Sequence, residues 1–216
     1  MASNARWENL TVDGNSMSVF VDEPAGPGPH PAVVVAHHRA GNDSPTTKFV
    51  QDLAGHGYVA ATPYLHHRRP EGEDTRDSAQ NLCDVQIVRD LNATVELLQA
   101  MDTVDNDRMA IAGHCMGGRG SFLGAASLEA FKCNIVQLGN LRGPVIGFFG
   151  KDDENPSPDQ VAQIGARLTE LGIAHEFHSY DGAGHAFQNF TNPAGYRALA
   201  TEDSFAKMIA WLAKNL

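Results

Sequence analysis

The stretch Ala112-Gly113-His114-Cys115-Met116-Gly117-Gly118-Arg119 constrains this chain most. It follows a short apolar run, Arg108 to Ile111, and precedes a small-residue segment of helical character, Ser121 to Leu128. Strand, sharp turn and helix are the expected order, with a thiol at the apex. The spacing G-x-C-x-G is that of a nucleophile elbow in which cysteine replaces the more usual serine. Glycine suits both flanking sites, because the nucleophile sits in a strained backbone and a Cβ beside it would strike the adjoining strand or helix. A helix N-terminus aimed at the sulfur favours thiolate over thiol. The competing reading is structural, since buried free cysteines and Gly-rich turns after strands are common in α/β proteins. The partners of Cys115 must decide between them.

Flanking patterns place this turn in an alternating architecture. Trp7 to Asp13 and Ser16 to Val21 alternate apolar and polar around Gly14-Asn15, as a β-hairpin does. Pro24 to Pro31 is a breaker-rich loop. Ala32 to Ala36 is a continuous apolar run suited to a strand covered on both faces, and His37-His38-Arg39-Ala40-Gly41 follows it. Ser44-Pro45 opens a helix that Gly57 ends, Tyr58 to Thr62 is a second buried strand, and polar Tyr64 to Asp74 is expected to be a surface loop. One helix is expected from Asp77 to Met101, with Leu82, Val85, Val88, Leu91, Val95 and Leu98 inward and Cys83 packed within it. Strands follow at Met109 to Ala112, Asn134 to Leu138, Val145 to Phe149 and Glu176 to Tyr180. Helices open at Ser157-Pro158 and near Thr201, the latter burying Phe205, Met208, Ile209 and Leu212. The expectation is one domain, residues 1–216, with a mostly parallel, doubly wound sheet, helices on both faces and an N-terminal hairpin.

In such sheets reacting groups gather beyond the carboxyl ends of strands. A thiol there needs a base, and the base needs an orienting group. Gly150-Lys151-Asp152-Asp153-Glu154 follows one strand, and Asp181-Gly182-Ala183-Gly184-His185-Ala186-Phe187 follows the last. The chain order Cys115, acid, His185 matches the nucleophile, acid, histidine order of α/β-hydrolases.

These residues, with Pro156, the run from Pro31 to Gly41, and Gly57-Tyr58 leading into Thr62-Pro63-Tyr64-Leu65, make the chain resemble the dienelactone hydrolases over nearly its whole length. The resemblance implies an α/β-hydrolase fold and hydrolysis of a small-molecule ester or lactone without a cofactor. It implies Cys115 as nucleophile, His185 as base and Asp152 as its orienter, the last because Pro156 falls at the family's offset from Asp152. The oxyanion hole would use the backbone N–H of Met116 and a second N–H after Ala36, at Arg39. The chain also departs from the family pattern. His38 stands where the family has a glutamate touching the resting cysteine, and Asn189 where the type enzymes have a substrate-binding arginine. The segment between Cys115 and Asp152 is short, with a loop trimmed around Gln137 to Arg142. Arg69 or Arg76, from the long polar loop, is the candidate replacement for the missing carboxylate partner, with His38 also at the substrate.

Composition narrows the alternatives. A formal charge of −10 argues against nucleic acid or an anionic membrane as partner. No apolar run is long enough to span a bilayer, Met1 to Asn9 lacks the order of a signal peptide, and three cysteines at unrelated spacings form no disulfide framework. A cytoplasmic protein, monomeric or weakly self-associating, is expected. His37-His38 and His66-His67 are poor chelating pairs, since strand neighbours point to opposite sides, so no metal is expected. The rival functions are a transferase or ring-modifying enzyme on the same triad, and a redox-sensing or binding protein with a reactive Cys115.

Overall fold

The computed structural model describes residues 4–131, 141 and 143–216, with the side chain of Arg76 excepted. Strands β1 (Arg6–Val12) and β2 (Asn15–Asp22) form the hairpin, in register Trp7↔Phe20. Its turn is Asp13-Gly14, both at positive φ, one residue earlier than the sequence suggested. Next come β3 (His30–Ala36), α1 (Ser44–Gly55), β4 (Val59–Pro63), α2 (Thr75–Asn81), α3 (Asp84–Gln99), β5 (Val104–Gly113) and α4 (Met116–Ser127). The chain closes with β6 (Val145–Gly150), α5 (Pro158–Glu170), β7 (His175–Tyr180) and α6 (Ala198–Asn215).

Among the described residues one sheet runs β1-β2-β4-β3-β5, and β6 pairs in parallel with β7. The central β3 lies parallel to both β4 and β5. Its unbroken apolar run follows from burial on two faces. Val34 joins Ile87, Leu91, Val95 and Leu98 of α3 on one side. Val33 and Val35 meet Val50 and Leu53 of α1 and Met208, Trp211 and Leu212 of α6 on the other. The side chains alternate as a pleated strand demands.

Local chemistry moves several boundaries. Asp43, not Ser44, caps α1, its carboxylate accepting the Thr46 N–H at 3.3 Å. Ser157 and Gln160 form a reciprocal capping box on α5. The single helix expected over 77–101 is two, α2 and α3, parted at Leu82-Cys83. Cys83 is extended there (φ −90°, ψ 134°), and the Arg119 guanidinium takes the Leu82 carbonyl at 3.3 Å. Cys83 is exposed rather than packed, and Val85 is 58% exposed while Ile87 takes the inward position. The segment 64–74 is not wholly at the surface, since Leu65 and His66 are buried. The strand expected at Asn134–Leu138, and the trimmed loop placed around Gln137–Arg142, fall largely outside the described residues.

Candidate active site

The elbow is built by close backbone approach. Cys115 has φ 54° and ψ −117°, a left-handed conformation that a non-glycine residue adopts only when its surroundings over-determine it. Gly113 and Gly117 supply the room. A Cβ on Gly113 would lie 2.0 Å from the Gly117 carbonyl oxygen, and one on Gly117 would lie 2.0 Å from the Ala36 oxygen. The N-terminal turn of α4 is thereby seated against the end of β3, whose Ala36 is registered with Gly113.

Two loops deliver the partners of the thiol. Lys151 N–H donates to the Tyr180 carbonyl and Asp152 N–H to the Ala183 carbonyl, both at 2.9 Å. These bonds tie the turn after β6 to the turn after β7. His185 then places Nε2 3.0 Å from Cys115 Sγ and donates its Nδ1–H to Asp153 Oδ2 at 3.0 Å. The acid at the imidazole is therefore Asp153, whereas the sequence reading chose Asp152. Asp152 spends its backbone on Ala183 and leaves its side chain exposed, which turns the next side chain inward; Asp153 is only 11% exposed. Ala186, just after His185, also holds positive φ (57°).

The electrostatics follow from these contacts. The His185 hydrogen bond is the main influence holding the Cys115 thiol below its ordinary pKa, and it outweighs the opposing effect of burial. The Met116 N–H and the positive charge of Arg39 act in the same direction. Reciprocally, the bond to sulfur and then Asp153 push His185 up to about 9. The contact thus favours thiolate and imidazolium over the neutral pair. His114, which precedes Cys115, has its ring edge-on to Phe49 at 4.5 Å and hydrogen-bonds Gln188, and burial pushes its pKa down to about 4.

The remaining sequence candidates are distributed as follows. Met116 and Arg39 both act on the sulfur. His38 turns to Asp43, with Nε2 2.8 Å from Oδ1. Arg69 donates to the Glu73 carbonyl of its own loop at 2.8 Å. The side chain of Arg76, on α2, lies outside the described residues. Among the described residues no group of three or more His, Cys, Asp or Glu side chains is arranged to hold a metal ion, and no helix is long and apolar enough to cross a membrane. Sequence reasoning passed over Gln188, which hydrogen-bonds His114. Gln188 stands three positions after His185, but glutamine carries no pattern that could have revealed it. Asp153 was visible beside Asp152 but was set behind it on the offset of Pro156.

Comparison with known proteins places the chain in a family. The model of the dienelactone hydrolase family matches residues 17–216. A Synechocystis sp. protein described as "Putative carboxymethylenebutenolidase" is 27% identical over 231 residues, covering 93% of this chain and 91% of its own. A Bradyrhizobium sp. protein described as "Probable 2-oxo-3-(5-oxofuran-2-ylidene)propanoate lactonase" is 25% identical, covering 97% of this chain and 94% of its own. A Klebsiella pneumoniae crystal structure described as "Putative Dienelactone Hydrolase" superposes with a TM-score of 0.89 at 25% identity, covering 99% of both chains. A dienelactone hydrolase-like promiscuous phosphotriesterase from metagenomic libraries, 18% identical, shares the fold with a TM-score of 0.87 over 100% of this chain and 99% of its own. With its elbow, its sheet order and a family match over nearly its full length, this chain belongs to the dienelactone hydrolase family and has that family's α/β-hydrolase fold.

Proposed function

We propose that the chain hydrolyses a small-molecule ester or lactone through Cys115, His185 and Asp153, by way of a thioester. The observation that carries the reading is the linear relay from sulfur to imidazole to carboxylate, with both contacts at 3.0 Å. The names of the relatives, a carboxymethylenebutenolidase and a lactonase, support a lactone as the substrate class.

The chemistry closes on these groups. The Cys115 thiolate attacks the carbonyl carbon, a C–S bond forms, and the carbonyl π pair moves onto oxygen. The Met116 and Arg39 N–H groups receive that oxyanion. When the tetrahedral adduct collapses, the C–O bond breaks and the imidazolium of His185 gives its Nε2 proton to the departing alkoxide. In a lactone the alkoxide stays tethered to the acyl group. Neutral His185 then takes a proton from water, hydroxide adds to the thioester, and C–S cleavage returns the acid, the thiolate and the imidazolium. Asp153 holds the Nδ1–H tautomer and stabilises the charged ring throughout.

Turnover of p-nitrophenyl acetate tests the proposal. Cys115→Ala and His185→Ala should each abolish it, and rapid quenching of the wild-type reaction should yield an acyl adduct on the Cys115 peptide by mass. Undiminished turnover in Cys115→Ala would refute the triad. Rapid alkylation of Cys115 without turnover of any ester or lactone would favour a sensor instead.

A further inference from the structure

We infer that His37 is a positioning residue for the oxyanion hole, fixing the 38–39 peptide so that the Arg39 N–H faces the reacting carbonyl. The inference rests on the hydrolase reading above and deepens it. The starting point is a pair of histidine doublets, His37-His38 and His66-His67, that the catalytic relay leaves unused. His37 is fully buried, and its ring nitrogens have opposite duties. The Leu65 N–H can only donate, so Nε2, at 2.9 Å, is an acceptor and the ring proton lies on Nδ1. That Nδ1–H donates to the His38 carbonyl at 2.6 Å.

The consequence follows from peptide geometry. In a planar trans peptide the C=O and N–H point in opposite directions. The carbonyl of His38 and the N–H of Arg39 belong to one such plane. Drawing that oxygen inward onto His37, with the Gly41 N–H as a second donor at 3.0 Å, turns the Arg39 N–H outward. The next plane is held in the same way, since His66 Nε2–H donates to the Arg39 carbonyl at 3.1 Å. Cys115 stands at this end of β3, since the His114 N–H donates to the Ala36 carbonyl at 3.4 Å. Gly117, two residues past Cys115, packs against the Ala36 and His37 carbonyls, and the charge of Arg39 reaches the sulfur. Burial keeps His37 neutral, with its pKa pushed down to about 3, so the donor tautomer persists across the working pH range. Preorganised donors of this kind cost no reorientation when charge develops in the transition state.

Three substitutions separate this role from packing. Asparagine reproduces the Nδ1 donor of His37, glutamine reproduces the Nε2 acceptor, and leucine reproduces neither. His37→Asn should keep kcat on p-nitrophenyl acetate within roughly fivefold of wild type, while His37→Gln and His37→Leu lose about 10²-fold or more, the effect expected of one oxyanion donor. KM should change little, and the pH profile of Cys115 alkylation by iodoacetamide should not move, because that displacement uses no oxyanion. If the three variants lose kcat equally, in step with Tm, or if the alkylation profile shifts with kcat, the inference fails. Should the variants not fold, the wild-type protein still decides. An aldehyde whose carbonyl carbon bonds to Cys115 Sγ gives a tetrahedral adduct, and its oxygen should shift the Arg39 and Met116 amide protons downfield in 1H–15N spectra. An unmoved Arg39 amide overturns the inference. Loss of turnover in Cys115→Ala with full turnover in His37→Leu would remove this inference alone, whereas full turnover in Cys115→Ala would remove the hydrolase reading beneath it.

Discussion

Asp153 Oδ2 accepts the Nδ1–H of His185 at 3.0 Å, and the neighbouring Asp152 is held away from the ring by its own backbone bond to Ala183. The two aspartates should therefore respond differently to the same change. Asp153→Asn removes the charge that stabilises the imidazolium and lets the ring adopt the wrong tautomer. Its kcat should fall by roughly 10²- to 10⁴-fold. Asp152→Asn keeps the backbone bond and should stay within a few-fold of wild type on p-nitrophenyl acetate. Equal losses in the two variants would dissolve the distinction.

Cys115 and His185 set a pH window with definite signs. The thiol of Cys115 is held below its ordinary value, chiefly by His185, so the thiolate extends to lower pH than in a free cysteine and is lost as pH falls through that lowered pKa. His185 is raised to about 9, so the imidazolium persists upward and is lost as pH rises through that value. Because the groups interact, the two limbs belong to the pair. With Cys83 and Cys133 replaced by serine, alkylation of Cys115 should stay fast at pH 7. His185→Ala should move its midpoint up toward the ordinary thiol value of about 8.5. Turnover should decline near the pKa of His185 on the alkaline side, where no proton remains for the leaving alkoxide. A wild-type alkylation midpoint that His185→Ala leaves unmoved would break the coupling.

What the sequence disclosed and what it hid have separate physical causes. The β3 run, the cap at Ser157 and the glycines of the elbow were legible, because periodicity, capping and close approach each restrict residue type locally. The cysteine and histidine of the relay were legible from their places just past strands. The choice between Asp152 and Asp153 was not, because it turns on which amide pairs with Ala183 across the β6–β7 loops, a contact between distant segments. The break at Leu82-Cys83 was hidden for the same reason, since the carbonyl freed there is taken by Arg119, which lies 37 residues further along the chain. The burial of His37 and His66 was hidden as well, because it depends on Leu65 and Arg39, which lie far from them in sequence.

The elbow glycines differ sharply in what a methyl group would meet. At Gly117 a Cβ would strike the Ala36 oxygen at 2.0 Å, while at Gly118 nothing lies within 4 Å. Gly117→Ala must push α4 away from β3. It should cost about 2–4 kcal/mol in urea unfolding and remove activity as well. Gly118→Ala adds a better helix former in open space and should be neutral, or stabilising by about 0.5–1 kcal/mol. Comparable destabilisation by the two would mean that the elbow is not packed as tightly as this geometry requires.

The segment bearing Leu65 and His66 is anchored by a buried charge, which links fold stability to the site. Asp90 of α3 is fully buried, with Arg68 on both carboxylate oxygens at 2.8 Å and His67 Nε2 at 3.1 Å from Oδ1. Arg68 also reaches Asp13 in the hairpin turn at 2.9 Å. Removing one partner of such a pair strands the other charge away from water. Arg68→Met should therefore destabilise by about 3–5 kcal/mol. Replacing the exposed Lys48 of the Lys48–Asp52 pair should leave the unfolding midpoint where it was, since solvent screens that contact. Arg68→Met should also lower kcat below what the folded fraction explains, because the loop it frees carries the Leu65 N–H that sets the tautomer of His37. Unfolding curves and turnover measured on the same samples separate the two effects. A kcat per folded molecule equal to wild type would show that the anchor serves stability alone.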